Sequence, residues 1–316
     1  MIQAVGLTKA YGRTTAVDDL TFDVHPGVVT GFLGPNGAGK STTMRLLMGL
    51  EAPDAGKALI DGRPYHALNW PLRQVGAHLD AKAFHPGLTA EQHLRALARA
   101  NAIDRSRVAV VLEQVGLSPV GRRRVGTFSL GMAQRLGIAA ALLGDPGNLL
   151  FDEPMNGLDP EGIHWIRTFL RALAAEGRAI LLSSHLIAEM ALTADRLVVV
   201  GRGRVVAQLS SRELAARAPR SVRVRAEDQA GLAAVLLGAA MTVSTGPDGS
   251  LSVTGSEPAA IAALAARAGV QLHELTPERA SLEEVFLELT DASTDYRAVA
   301  AAGAARNGAS PTRRTP

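Results

Sequence analysis

From Met1 to about Leu209, short apolar runs closed by polar or glycine-rich turns alternate with longer stretches of helical spacing. Val28-Val29-Thr30-Gly31-Phe32-Leu33, Asn148-Leu149-Leu150-Phe151, Ala179-Ile180-Leu181-Leu182 and Leu197-Val198-Val199-Val200 read as buried strands. Strands alternating with helices predict an α/β domain built on a largely parallel sheet. Leu88 to about Gly116 is rich in Ala, Leu, Arg and Glu and opens on the capping box Thr89-x-x-Gln92, which predicts two helices in a separate helical lobe.

The pattern changes after the capping box Ser210-x-x-Glu213 and a break at Pro219. Val222-Arg223-Val224-Arg225 alternates as a half-buried strand does, and a helix is expected from Asp228 to about Ala239. Met241-Thr242-Val243 and Leu251-Ser252-Val253-Thr254 flank Gly246-Pro247-Asp248-Gly249, a turn composition that predicts a hairpin. A helix near Pro258 to Ala268, a strand Val270 to Leu275 and a last helix capped by Ser281-x-x-Glu284 complete a β-α-β-β-α-β order. That order predicts a small α+β, ferredoxin-like domain. The expected division is residues 1–215, with a helical lobe over about 86–145, then an accessory domain over 216–290 and a mobile tail over 291–316.

Composition narrows the class of function. The 316 residues include no cysteine, which removes disulfides, thiolate metal sites and cysteine nucleophiles together. No run of 18 or more mostly apolar residues occurs, and the first residues lack a secretory signal, so a chain that neither crosses a membrane nor is exported is expected. The net charge of +3 is carried by Arg297, Arg306, Arg313 and Arg314 against Asp295, which leaves residues 1–291 balanced. A basic footprint for a duplex is absent, and no nucleic-acid partner is expected.

Gly34-Pro35-Asn36-Gly37-Ala38-Gly39-Lys40-Ser41 follows a predicted strand and leads through Thr42 into a helical stretch, the setting that a phosphate-binding loop requires. Its backbone N–H groups and the helix N-terminus would cradle phosphate oxygens, Lys40 would reach the outer phosphates, and Ser41 could offer its hydroxyl to Mg²⁺. Leu149-Leu150-Phe151-Asp152-Glu153-Pro154 is an apolar strand ending in two acids, at the sheet edge where such loops lie. Asp152 would hold Mg²⁺ through water and Glu153 would polarise an attacking water.

These motifs together resemble the nucleotide-binding subunit of an ATP-binding cassette (ABC) transporter. Phe128-Ser129-Leu130-Gly131-Met132 stands where that family has its signature L-S-G-G-Q, keeping Ser129 and Gly131 and departing at Leu130 and Met132. The resemblance implies a phosphate-loop NTPase cassette with a helical subdomain, and two subunits closing head to tail around two ATP molecules. In it Ser129 and Gly131 contact the nucleotide held by the partner. It also places Tyr11 as the aromatic stacked on adenine, Asn156-Gly157-Leu158-Asp159 along the dimer seam, and His185 of Ser183-Ser184-His185 as the switch histidine on the γ-phosphate. Where the family usually offers a glutamine to Mg²⁺ and water, this chain has Asp80.

A single cassette followed by a ferredoxin-like segment looks like the ABC-2 type exporters, drug- and antibiotic-resistance pumps among them. The resemblance implies ATP and Mg²⁺ as ligands, a separately encoded integral-membrane permease, and a place on the cytoplasmic face of the plasma membrane. A soluble cassette ATPase of DNA repair or translation stays open. Against it, only Thr42 to Phe128 separates phosphate loop from signature, and the chain holds one cassette. The segment Ser281–Thr290 is expected either to pack Val285, Phe286 and Leu289 against its own domain or to contact another subunit. Asp80→Asn is expected to change the Mg²⁺ dependence of ATPase activity; an unchanged Mg²⁺ titration would take Asp80 out of the metal shell.

Overall fold

The protein is described from a computed structural model covering residues 1–80, 83–217, 220–246 and 248–279. The first elements are β1 (Ile2–Tyr11), β2 (Thr14–Val24), β3 (Val29–Leu33), α1 (Lys40–Leu47), β4 (Ala55–Ile60) and β5 (Val75–His78). Then follow α2 (Ala90–Ala100), α3 (Ser106–Gln114), α4 (Leu130–Leu142), β6 (Asn148–Phe151), α5 (Pro160–Ala175), β7 (Ala179–Ser184), α6 (Ile187–Thr193), β8 (Arg196–Gly201), β9 (Arg204–Ser210) and α7 (Ser211–Arg217). The last are β10 (Arg220–Ala226), α8 (Gln229–Gly238), β11 (Thr242–Thr245), β12 (Leu251–Thr254), α9 (Pro258–Arg267) and β13 (Leu272–Arg279).

The central sheet runs β5-β6-β7-β3-β8-β9, with its first five strands parallel and β9 returning antiparallel. Its inner strands β6, β7, β3 and β8 are mostly apolar and almost wholly buried because both faces are covered. Leu149 and Phe151 of β6 face the helices with Ile180, Leu182, Leu197 and Val199, whereas Leu150, Leu181, Val198 and Val200 enter a second core on the opposite face.

A three-stranded antiparallel sheet, β2-β1-β4, covers that opposite face. Ile2, Ala4, Leu7, Leu20, Phe22 and Val24 turn inward onto Met44 and Leu47 of α1, and Phe22 stacks on Phe32 with ring centroids 5.1 Å apart. This sheet is a finding beyond the expected parallel one: Leu20-Thr21-Phe22-Asp23-Val24 of β2 alternates cleanly, but register shifts interrupt the two-residue pattern of β1 beyond Ala4.

Thr89 caps α2 through both bonds of its capping box, and two helices occupy the stretch where two were expected. α4 then packs against β5, and their backbones nearly touch: a Cβ on Gly76 would stand 1.9 Å from the Ala141 carbonyl oxygen.

β10 to β13 form a separate antiparallel sheet in the order β11-β12-β10-β13, the strand order of a ferredoxin-like unit. Val222, Val224, Leu251 and Val253 meet Leu232, Leu236, Ile261 and Ala265 of α8 and α9 in its own core. The strand expected from Val270 to Leu275 begins at Leu272, opposite Ala226, and runs to Arg279, with a register shift between Arg225 and Ala226. Pro219, the helix expected at Ser281-x-x-Glu284 and the tail 291–316 lie outside the described residues.

Gly76→Ala is expected to cost about 1–3 kcal/mol, because the added methyl meets backbone and not a side chain that can swing aside. Urea unfolding checks this through a lower midpoint at an unchanged slope.

Candidate functional site

The site grows from the carboxyl ends of β3, β6 and β7, which are neighbours in the central sheet. β3 stops at Leu33, and the chain turns through Gly34 to Gly39 before α1 begins at Lys40. Gly37 and Gly39 take φ of 81° and 96°, a region that side chains disfavour. A Cβ on Gly39 would also stand 2.3 Å from the Ala16 carbonyl oxygen. Gly39 is therefore required twice, for its conformation and for the close approach of β2.

Lys40 is buried and folds back over the loop that precedes it. Its Nζ donates to the carbonyl oxygens of Gly34 at 2.7 Å and Pro35 at 3.3 Å, and it stands 3.6 Å from Glu153 Oε1. The ammonium is thereby held at the mouth of a cleft of about 490 Å³ lined by Tyr11, Asn36, Gly37, Gly39, Ser41, Thr42, Glu153, Asn156 and His185.

β6 delivers the two acids, and Ser183 at the end of β7 separates their tasks. The fully buried Ser183 hydroxyl donates to Asp152 Oδ1 at 2.5 Å while its oxygen accepts the Glu153 N–H at 2.9 Å. The Asp152 N–H donates to the His78 carbonyl at 2.9 Å. Glu153 takes a φ of 49°, unusual for a side-chain-bearing residue, and this turns its carboxylate away from that of Asp152. Glu153 Oε2 lies 2.8 Å from His185 Nδ1, so one carboxylate bridges the lysine and the histidine.

Asp152 enters a second cavity of about 480 Å³ together with Ser41, Asp80 and His78. Ser41 lines both cavities. A hydroxyl and two carboxylates are hard oxygen donors, and they suit a small divalent cation. His78 is buried against α4, and burial pushes its imidazole below the usual histidine range despite its bond to Gln134.

Tyr11 is 45% exposed at the edge of the first cleft. Its hydroxyl donates to Glu51, which raises its pKa, and the Lys9 ammonium lies 5.8 Å from its ring centroid.

Ser129 and Gly131 are brought together elsewhere. Ser129 caps α4 by accepting the Met132 N–H, and with the half-exposed Leu130 it lines a groove against Phe84, Pro86 and Phe128. Neither residue lines the phosphate-loop cleft of its own chain. The link between the two regions is Asn156 to Asp159. Asn156 lines the cleft, Gly157 lies so close to Leu130 that a Cβ would come within 2.2 Å of its side chain, and Leu158 touches Gly131. Asp159 caps α5 by accepting the Gly162 N–H at 2.8 Å.

The sequence and fold have counterparts among known proteins. A family profile described as ABC transporter matches residues 17–156, and one described as a domain of unknown function (DUF8746) matches residues 220–283. The bacitracin transport ATP-binding protein BcrA of Bacillus licheniformis is 34% identical over 302 residues, covering 93% of this chain and 98% of its own. The Nod factor export ATP-binding protein I of Ralstonia nicotianae is 35% identical over 303 residues, covering 92% and 94%. A solved ATP-binding subunit of an ABC transporter superposes with a TM-score of 0.63 at 31% identity, over 69% of this chain and 92% of that one.

The chain belongs to the ATP-binding proteins of ABC transporters. Members of this family bind and hydrolyse ATP. Three residues, Ser183, His78 and Gln134, carry no role that the sequence motifs assign. Ser183 stood in a quoted motif without a role, and its position beside both acids depends on β7 lying next to β6. His78 and Gln134 were unmarked because a histidine and a glutamine 56 residues apart share no motif.

Ser183→Ala leaves the Glu153 N–H and one Asp152 oxygen without their partner. The expected cost is about 1–3 kcal/mol in thermal or urea unfolding, accompanied by slower ATP hydrolysis; a variant with wild-type stability and rate would show the hydroxyl to be dispensable.

Proposed function

We propose that this ABC ATPase drives a membrane exporter by closing two copies of itself around two ATP molecules and reopening after hydrolysis. The observation that carries the reading is the separation of the two half-sites. Lys40, Glu153 and His185 share one cleft, while Ser129 lines a separate groove at the start of α4 and Gly131 follows it in the first turn, neither of them lining that cleft. A second copy arranged head to tail supplies the missing half to each cleft.

In that arrangement Gly34 to Thr42 hold the phosphates through backbone N–H groups, and Lys40 exchanges its carbonyl partners for the outer phosphate oxygens. Tyr11 offers its ring to the nucleobase. Glu153, positioned by Ser183 and flanked by Lys40 and His185, accepts a proton from the attacking water, and His185 contacts the terminal phosphate. Ser41, Asp152 and Asp80 would hold Mg²⁺, which when bound neutralises phosphate charge.

Bound ATP stabilises the closed pair by mass action, about 2.7 kcal/mol per site at a hundredfold excess over Kd. Loss of the terminal phosphate removes that stabilisation, and a partner that senses opening and closing converts it to work. Among the described residues no helix is long and apolar enough to cross a membrane, so the pore is assigned to a separate permease, with this subunit at its cytoplasmic face. Two relatives spanning nearly this whole chain are named for bacitracin transport and Nod factor export, which supports export and, with the former, a role in antibiotic resistance.

Glu153→Gln is expected to bind MgATP, hydrolyse it at least a hundredfold more slowly, and elute as a dimer in size-exclusion chromatography. A Glu153→Gln protein that stays monomeric when saturated with MgATP would falsify the two-copy reading. Co-purification of the wild-type chain with a multi-span membrane protein tests the exporter assignment.

A further inference from the structure

β5 and α4 lie closer than a strand and a helix with ordinary side chains allow. Gly76 lets the strand backbone reach the Ala141 carbonyl, and Gly137 leaves a hollow on the helix in which a Cβ would come within 2.2 Å of two ring atoms of His78. The His78 imidazole occupies that hollow and is only 5% exposed. Its Nε2 lies 2.5 Å from Oε1 of Gln134, equally buried and three residues before Gly137 on the same face of α4.

Both partners of this bond are only 5% exposed, although His78 borders the cavity of Ser41, Asp80 and Asp152. Two hydrocarbon side chains of similar shape would hold such a seam as firmly, since the net gain from a buried hydrogen bond is small. A polar pair contributes a different property. Sliding or tilting α4 by a fraction of a turn breaks the bond and strands two buried polar groups, so one placement of the helix is selected over its neighbours.

Both ends of the bond lead to the reaction. His78 ends β5, its carbonyl accepts the Asp152 N–H, and it lines the cavity of Ser41, Asp80 and Asp152. Gln134 lies on the helix whose N-cap is Ser129, so the same helix carries the segment that faces a second copy.

We infer that His78, Gln134 and Gly137 form a positioning bolt, which sets the signature helix α4 at one angle to the sheet edge carrying Asp80 and Asp152. The inference rests on the reading of Ser129 and Gly131 as contacts to the partner's nucleotide. His78 is a positioning residue: it orders the half-site that acts on the other subunit's ATP, while ATP capture by its own phosphate loop proceeds without it.

The test compares the full-length wild type with His78→Leu, Gln134→Leu, the double leucine variant and His78→Gln. The readouts are ATPase rate against protein concentration, affinity for a fluorescent ATP analogue at dilute protein, and Tm. Each single leucine variant is expected to lose about tenfold in kcat with nucleotide affinity unchanged, as befits one buried hydrogen bond. His78→Gln places an amide nitrogen where Nε2 stood and retains a rate within about twofold of wild type. The double variant regains Tm, because neither polar group is left unpaired, yet stays as slow as the singles. Single variants turning over at the wild-type rate would overturn the inference, as would a double variant whose rate recovers together with its Tm. A wild-type rate that rises only linearly with protein concentration would remove the two-copy reading and this inference with it.

Discussion

Three adjacent parallel strands point their carboxyl ends at one edge of the sheet and so bring the candidate site together. β6, β7 and β3 are adjacent, with Phe151 opposite Leu182 and Leu33 opposite Ser184. The chain leaving each strand therefore emerges over the same edge. From β3 comes the phosphate loop, from β6 the acid pair, and from β7 the serine and histidine that orient it. Ligands bind at such edges in open α/β sheets because the strands themselves are buried and only their carboxyl ends face the crevice.

Backbone conformation then separates two neighbouring carboxylates. Asp152 and Glu153 are consecutive, yet the positive φ at Glu153 and the two-way bond of Ser183 send one toward Ser41 and Asp80, and the other toward Lys40 and His185. Strain of this kind persists only where surrounding contacts over-determine it, and here a buried hydroxyl engages both acids. The lysine is satisfied by loop carbonyls and by Glu153, so its charge is held in place without a ligand.

The C-terminal unit was legible for a different reason. A half-buried antiparallel sheet shows its period in the sequence, so Val222 and Val224 announced one buried face, and Gly246 to Gly249 announced the hairpin. Asp248 in that turn is held well below the usual carboxylate range by the Ser250 hydroxyl and N–H and by Arg225. The antiparallel sheet at the front of the chain carries that signal only in part: Leu20, Phe22 and Val24 alternate in β2, whereas shifts of register interrupt the alternation of β1.

The amino-acid sequence alone determined the phosphate loop, the acid pair at the end of an apolar strand, the capped helices of the lobe and the order of the C-terminal elements. Each is a local property, carried by neighbours a few residues apart through φ preference, capping or side-chain period. Tertiary structure decided what depends on distant segments meeting. It set Ser183 between two acids of another strand, fitted the His78 ring into the hollow of Gly137, and put Ser129 on a surface apart from its own chain's cleft. Those arrangements follow from strand order and close packing, and no window of sequence contains the partners that create them.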